Sequence, residues 1–170
     1  MSETPNILTS AEQEIFNKTI DFLRVIGIPV HFRPINDKTL LPGIQVLNGE
    51  IIVDMEQLKY PGDILHEAGH IAVVPAAERN SLNEDSIGER EQNQAEEMAA
   101  IAWSYAACVH LDVDATFVLH DQGYKSGGNH LANNFKAGRY FGVPMLQWTG
   151  MALDPKEPGG YPEMRRWMRE

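Results

Sequence analysis

Asp63-Ile-Leu-His-Glu-Ala-Gly-His-Ile-Ala-Val-Val74 decides how the rest of this 170-residue chain is read. Residues four apart on an α-helix share a face, one turn and about 6 Å along the axis. His66 and His70 can therefore reach one ion together. Glu67 projects from the neighbouring face, where it can hold a water on that ion. This is the H-E-x-x-H arrangement. Ile64, Leu65, Ala68, Ile71, Ala72, Val73 and Val74 make the segment apolar almost all round, which predicts a buried helix. Two imidazoles and a carboxylate are costly to bury unless something satisfies them, and a metal would satisfy all three. The bland alternative is two core histidines and a capped carboxylate, since the pattern also arises by chance.

Working outward, Pro61-Gly62 breaks the chain ahead of this helix, with Asp63 as the expected N-cap, and Pro75 ends it. Upstream, Gly43 to Asp54 carries Asn48-Gly49 between two β-rich runs, which predicts a hairpin with a type I′ turn. Ile28 to Pro34 reads as a short extended segment that its prolines keep at a sheet edge. His31 lies there with no role expected. Before it, Thr9 and Glu12 form a capping box, and Ile15, Phe16, Thr19, Ile20, Leu23 and Ile26 recur at helical spacing up to Gly27. Residues 1–8 read as a loose lead-in. The expected fold is α+β, one domain over 1–170: a small antiparallel sheet packed on the H-E-x-x-H helix and a second long helix.

That second helix follows a polar stretch, 76–94, read as an exposed loop in which Ser86 and Glu89 make a capping box. Its apolar face is expected to hold Ala95, Met98, Ala102, Tyr105 and Val109, flanked by Ile101 and Cys108. Catalytic zinc keeps three protein ligands and one open position, so a third ligand is needed. At 100° per residue Glu97 falls at the edge of the Ile101/Cys108 side, while Glu96 points away. Glu97 is the candidate and Glu96 an expected solvated charge. Both being ordinary surface carboxylates is the alternative, and His110 at the helix end competes as a ligand, although capping suits it better.

A glycine-containing hairpin with an Ile-Ile-Val-Asp strand is thus followed by a Leu-His-Glu-x-Gly-His helix and a helix carrying Glu before small and apolar residues. Over roughly residues 40–107 this resembles the ImmA/IrrE family of zinc metallopeptidases. More broadly it resembles the gluzincins, whose third ligand is a glutamate on the next long helix. The resemblance implies a zincin-like fold, with His66, His70 and Glu97 as zinc ligands and Glu67 as the catalytic glutamate.

The chemistry so implied is peptide or amide hydrolysis by a metal-activated water, with Glu67 as general base and Zn²⁺ as cofactor. An oxyanion donor is sought among Tyr124, His130 and Tyr140, in or near the glycine-rich segment 123–130. The strand at Ile51 to Asp54 is a candidate for adding a peptide or protein substrate as an extra strand. The competing expectation is a non-catalytic metal-binding domain that docks a partner, and beyond that a plain α+β domain.

The rest of the chain narrows the field. Asp112 and Asp114 alternate as in a calcium loop but suit capping better. Residues 115–120 and 129–140 read as helices, 141–148 as packed down, 154–160 as a turn and 161–170 as a short amphipathic tail. A net charge of −10 argues against nucleic-acid and anionic-membrane partners. No apolar run reaches the length of a membrane span, and the N-terminus shows neither a basic n-region nor an apolar h-region. The single cysteine, Cys108, excludes an internal disulfide and a cysteine zinc site, so a cytoplasmic protein is expected.

Overall fold

The computed structural model describes residues 8–124 and 127–170. Residues 1–7 of the expected lead-in, and 125–126 of the glycine-rich segment, lie outside the described residues. Helix α1 (Ser10–Ile26) has the expected capping box, with Glu12 N donating to Thr9 Oγ1 and Thr9 N to the Glu12 carboxylate. It buries Phe16, Thr19, Ile20, Phe22 and Leu23 and closes on Gly27. Strands β1 (Val30–Phe32), β2 (Ile44–Leu47) and β3 (Glu50–Val53) follow. Asn48 and Gly49 both have positive φ, as a type I′ turn requires, and Leu47 pairs with Glu50 across it.

The order in the sheet is β1-β3-β2, and only the hairpin is antiparallel. β1 pairs parallel with β3, so the sheet is mixed rather than antiparallel throughout. β3 is therefore central, with its hydrogen-bonding groups engaged on both sides. This corrects the expectation that Ile51 to Asp54 could accept a further strand, since only β1 and β2 leave an edge.

The H-E-x-x-H helix, α2 (Asp63–Val73), is buried at ten of its eleven residues. Its N-cap is Gly62, not Asp63, and Asp63 occupies the first helical turn with its carboxylate turned inward. Residues 76–94 are not a plain loop. They form two one-turn helices, α3 (Ala76–Arg79) and α4 (Glu84–Ile87), with Leu82 buried between them. Asn83 caps α4, with Ser86 as its reciprocal partner, so Ser86 opens no long helix.

The long helix α5 (Asn93–Leu111) starts at Asn93 and is buried without a break from Ala99 to Cys108. Met98 and Val109, expected on its inward face, are exposed. The face turned to α2 is instead made of small residues. A Cβ on Gly69 would stand 2.8 Å from Ala100 O, so the absence of a side chain there lets the two axes come close.

A 3₁₀ turn (Ala115–Phe117), α6 (Gly128–Lys136) and α7 (Val143–Trp148) complete the elements. The 115–120 and 129–140 stretches are thus less helical than expected, and α6 stops at Lys136. The last ten residues are no free tail. Arg169 N donates to Ala72 O, Trp103 Nε1 to Trp167 O, and buried Tyr161 places its hydroxyl on Ala102 O at 2.7 Å. That segment straps α2 and α5 together. Among the described residues no helix is long and apolar enough to cross a membrane.

Candidate metal centre

α2 presents His66 and His70 one turn apart, and α5 presents Glu97 from its second turn. His66 Nε2 and His70 Nε2 are 3.2 Å apart. Glu97 Oε1 is 3.5 Å from His66 Nε2, and Glu97 Oε2 is 2.8 Å from His70 Nε2. Two ligands at about 2.05 Å on a tetrahedral ion are separated by about 3.3 Å. The two imidazole nitrogens stand close to that edge; with one oxygen of Glu97 the three donor atoms lie within 4.8 Å of one another, and two imidazole nitrogens with a carboxylate are a donor set zinc accepts. The residues fit the ion.

Electrostatics at the cluster follow from burial and crowding. Burial, with the neighbouring His70 charge, pushes the His66 pKa down to about 4, which leaves the ring neutral and its lone pair available at pH 7. Burial pulls His70 down as well, but the Glu97 hydrogen bond and the nearby carboxylates more than reverse this and hold it above the ordinary value. Glu97 is pushed up by burial and brought below the usual carboxylate value by His70 and His66. An imidazole and a carboxylate that stabilise each other's charge in this way hold one proton that a metal must displace.

Glu67 differs from every other carboxylate here. It is 8 % exposed, and among the described residues no hydrogen bond or ion pair reaches it. Burial raises its pKa to about 7. It lines a cavity of about 870 Å³ together with His66, His70, Glu97, Asp63 and Tyr124. The cavity runs out past Lys38–Leu41 to Glu84 and Asp85 of α4. Glu84 Oε1 accepts from Leu40 N at 2.5 Å, which ties the approach to β2 onto α4.

The other expected positions divide. Tyr124 lines the cavity, and its hydroxyl lies 3.1 Å from His66 Nδ1. His130 is exposed on α6 and does not line the cavity. Tyr140 packs on Phe135 and Tyr161. The structure brings neither of them to the cluster. His110 is exposed at the end of α5, beside the rings of Phe22 and Trp167. His31 pairs with Glu50 at the surface. Glu96 is corrected: it is 4 % exposed and held bidentately by Arg90 at 2.6 and 2.9 Å. It is an interior ion pair rather than a solvated charge, and it leaves Glu97 alone on the α2 side.

Sequence reasoning missed one pair. Asp63 Oδ1 is 2.6 Å from His120 Nε2, and both side chains are largely buried. Nothing in the pattern of residues connects positions 57 apart, and an Asp at a helix start reads as a cap. Compared with known proteins, the chain matches no family model, no curated protein and no solved structure. The site is therefore read from its own geometry.

Proposed function

We propose that this protein is a zinc-dependent peptidase or amidase of the gluzincin kind, resembling the ImmA/IrrE enzymes. The observation that carries the reading is Glu67: a buried carboxylate with no hydrogen bond or ion pair among the described residues, facing the same cavity as three clustered side chains that could hold a metal. His66, His70 and Glu97 would hold the ion. When bound, zinc polarises a carbonyl and acidifies a coordinated water. Glu67 takes the proton from the attacking water and returns it to the leaving amine. A base poised near neutrality suits both transfers. The cavity leaves room for a peptide or protein substrate along Lys38–Leu41. That room favours the hydrolase over a closed, partner-docking metal domain. A cytoplasmic location accords with the lone buried Cys108.

The test is elemental analysis joined to one substitution. Purified protein should carry about one zinc per chain. Glu67→Gln should keep the zinc and lose hydrolysis of a peptide library by at least about a hundredfold. Zinc lost with Glu67→Gln would contradict the assigned roles. Zinc kept by the wild type with no peptide cleaved would return the site to a structural or docking role.

A further inference from the structure

We propose that Tyr124 is a positioning residue for His66, seated there by the buried Asp63–His120 pair. The inference rests on the metal reading of His66, His70 and Glu97. His66 turns Nε2 toward His70 and Glu97, so Nε2 is the nitrogen that would give its lone pair to the ion. Its proton must then sit on Nδ1. The Tyr124 hydroxyl is 3.1 Å from that Nδ1, with the two rings edge-to-face at 5.9 Å. The hydroxyl oxygen accepts Nδ1–H and so fixes both the tautomer and the rotation of the ring. An oxyanion donor would need its hydroxyl aimed at substrate. This one is turned to His66 Nδ1.

The way Tyr124 is held supports the assignment. It follows a turn in which Gly123 N donates to His120 O at 3.1 Å. The His120 ring is fixed twice, by Asp63 Oδ1 at 2.6 Å and by stacking on Tyr60 with centroids 4.7 Å apart. Gly123 lies directly against that ring: a Cβ there would stand 3.1 Å from His120 Cε1. Asp63 opens α2, three residues before His66. The helix that carries the ligand thus also carries the anchor of the turn that orients it.

The test is zinc affinity, measured by competition with a chromogenic chelator on the full chain. Tyr124→Phe should weaken zinc binding 10- to 100-fold, the usual range for an outer-shell partner. The His66 Nδ1 proton should exchange faster by ¹⁵N-resolved NMR. His120→Gln should weaken zinc binding in the same direction. In the Tyr124→Phe background that effect should vanish, whereas a merely structural role would persist. Unchanged zinc affinity in Tyr124→Phe, or additive losses in the double variant, overturns the proposal. A wild type that binds no zinc overturns it together with the peptidase reading. Zinc bound, and lost on Tyr124→Phe, in a protein that cleaves nothing supports the proposal and sinks only the hydrolase.

Discussion

Gly69→Ala tests whether the α2–α5 seam sets the geometry of the metal site. Two effects oppose each other. Alanine is better than glycine within a helix by about 1 kcal/mol. Against this, the new Cβ would stand 2.8 Å from Ala100 O, 3.1 Å from Ala100 Cα and 3.2 Å from Ala100 Cβ, where ordinary contact begins near 3.4 Å. Backbone cannot swing aside as a side chain can, so the helices must separate by about 0.6 Å, and overpacking of this kind costs roughly 1–3 kcal/mol. The net expectation for the metal-free protein is a loss of about 0–2 kcal/mol. The site should suffer more. His70 is the next residue along α2, and Glu97 lies three residues before Ala100 on α5, so the wedge sits between the two carriers of a 2.8 Å contact. Metal–ligand distances tolerate about 0.2 Å, a third of the shift, and zinc affinity should fall at least about tenfold. Urea denaturation with and without zinc separates the two terms. A Gly69→Ala protein stabilised by about 1 kcal/mol, with zinc affinity unchanged, would refute the reasoning.

Other expectations are as direct. Metal-free Glu67→Gln should outlast wild type at alkaline pH. A carboxyl whose pKa rises on folding, here from 4.5 to about 7, lends stability that is full below 4.5 and is lost as pH rises through 7. The difference should reach on the order of 3 kcal/mol at pH 8 and close near pH 4, by urea titration across pH. Arg90→Ala should destabilise by about 3–5 kcal/mol, because it strands the buried Glu96. Glu96→Gln should cost less, and equal losses in the two variants would count against that account. Stripping zinc with a chelator should lower stability by about 4 kcal/mol when free zinc had stood a thousandfold above its Kd, and should lower Tm accordingly. Thermal curves indifferent to the chelator would mean that nothing binds the native cluster.

Local chemistry made much of this fold legible. The Thr9/Glu12 box, the Asn48-Gly49 turn and the Pro75 stop each act within four residues, and each stands where its residues place it. The His66 and His70 pairing is equally local, because helical pitch alone brings them together. Glu97 beside them required only counting along a second helix. What failed was non-local. Glu96 looked solvated because the wheel counts apolar neighbours and cannot show Arg90 folding back from the preceding turn. Asp63 looked like a cap because His120 arrives from 57 residues away. Nor does a hairpin reveal that β1 will add in parallel to its second strand and close the edge a substrate might have used.

Glu96 and Glu67 together make the strongest case that the cavity has a purpose. Both carboxylates are more than nine-tenths buried, one on each of the two packed helices. A buried charge without a partner costs several kcal/mol, and this chain answers that cost at Glu96 with a bidentate arginine. At Glu67 it leaves the carboxylate open toward the cavity and lets its pKa climb to about 7 instead. Nothing in the packing requires an acid there: a leucine or glutamine would fill the same space at lower cost. A purely structural role leaves such a residue unexplained, and the proposed hydrolase accounts for it. A hydrolase needs one that can hold a proton near neutral pH, one residue from a metal ligand and facing the substrate.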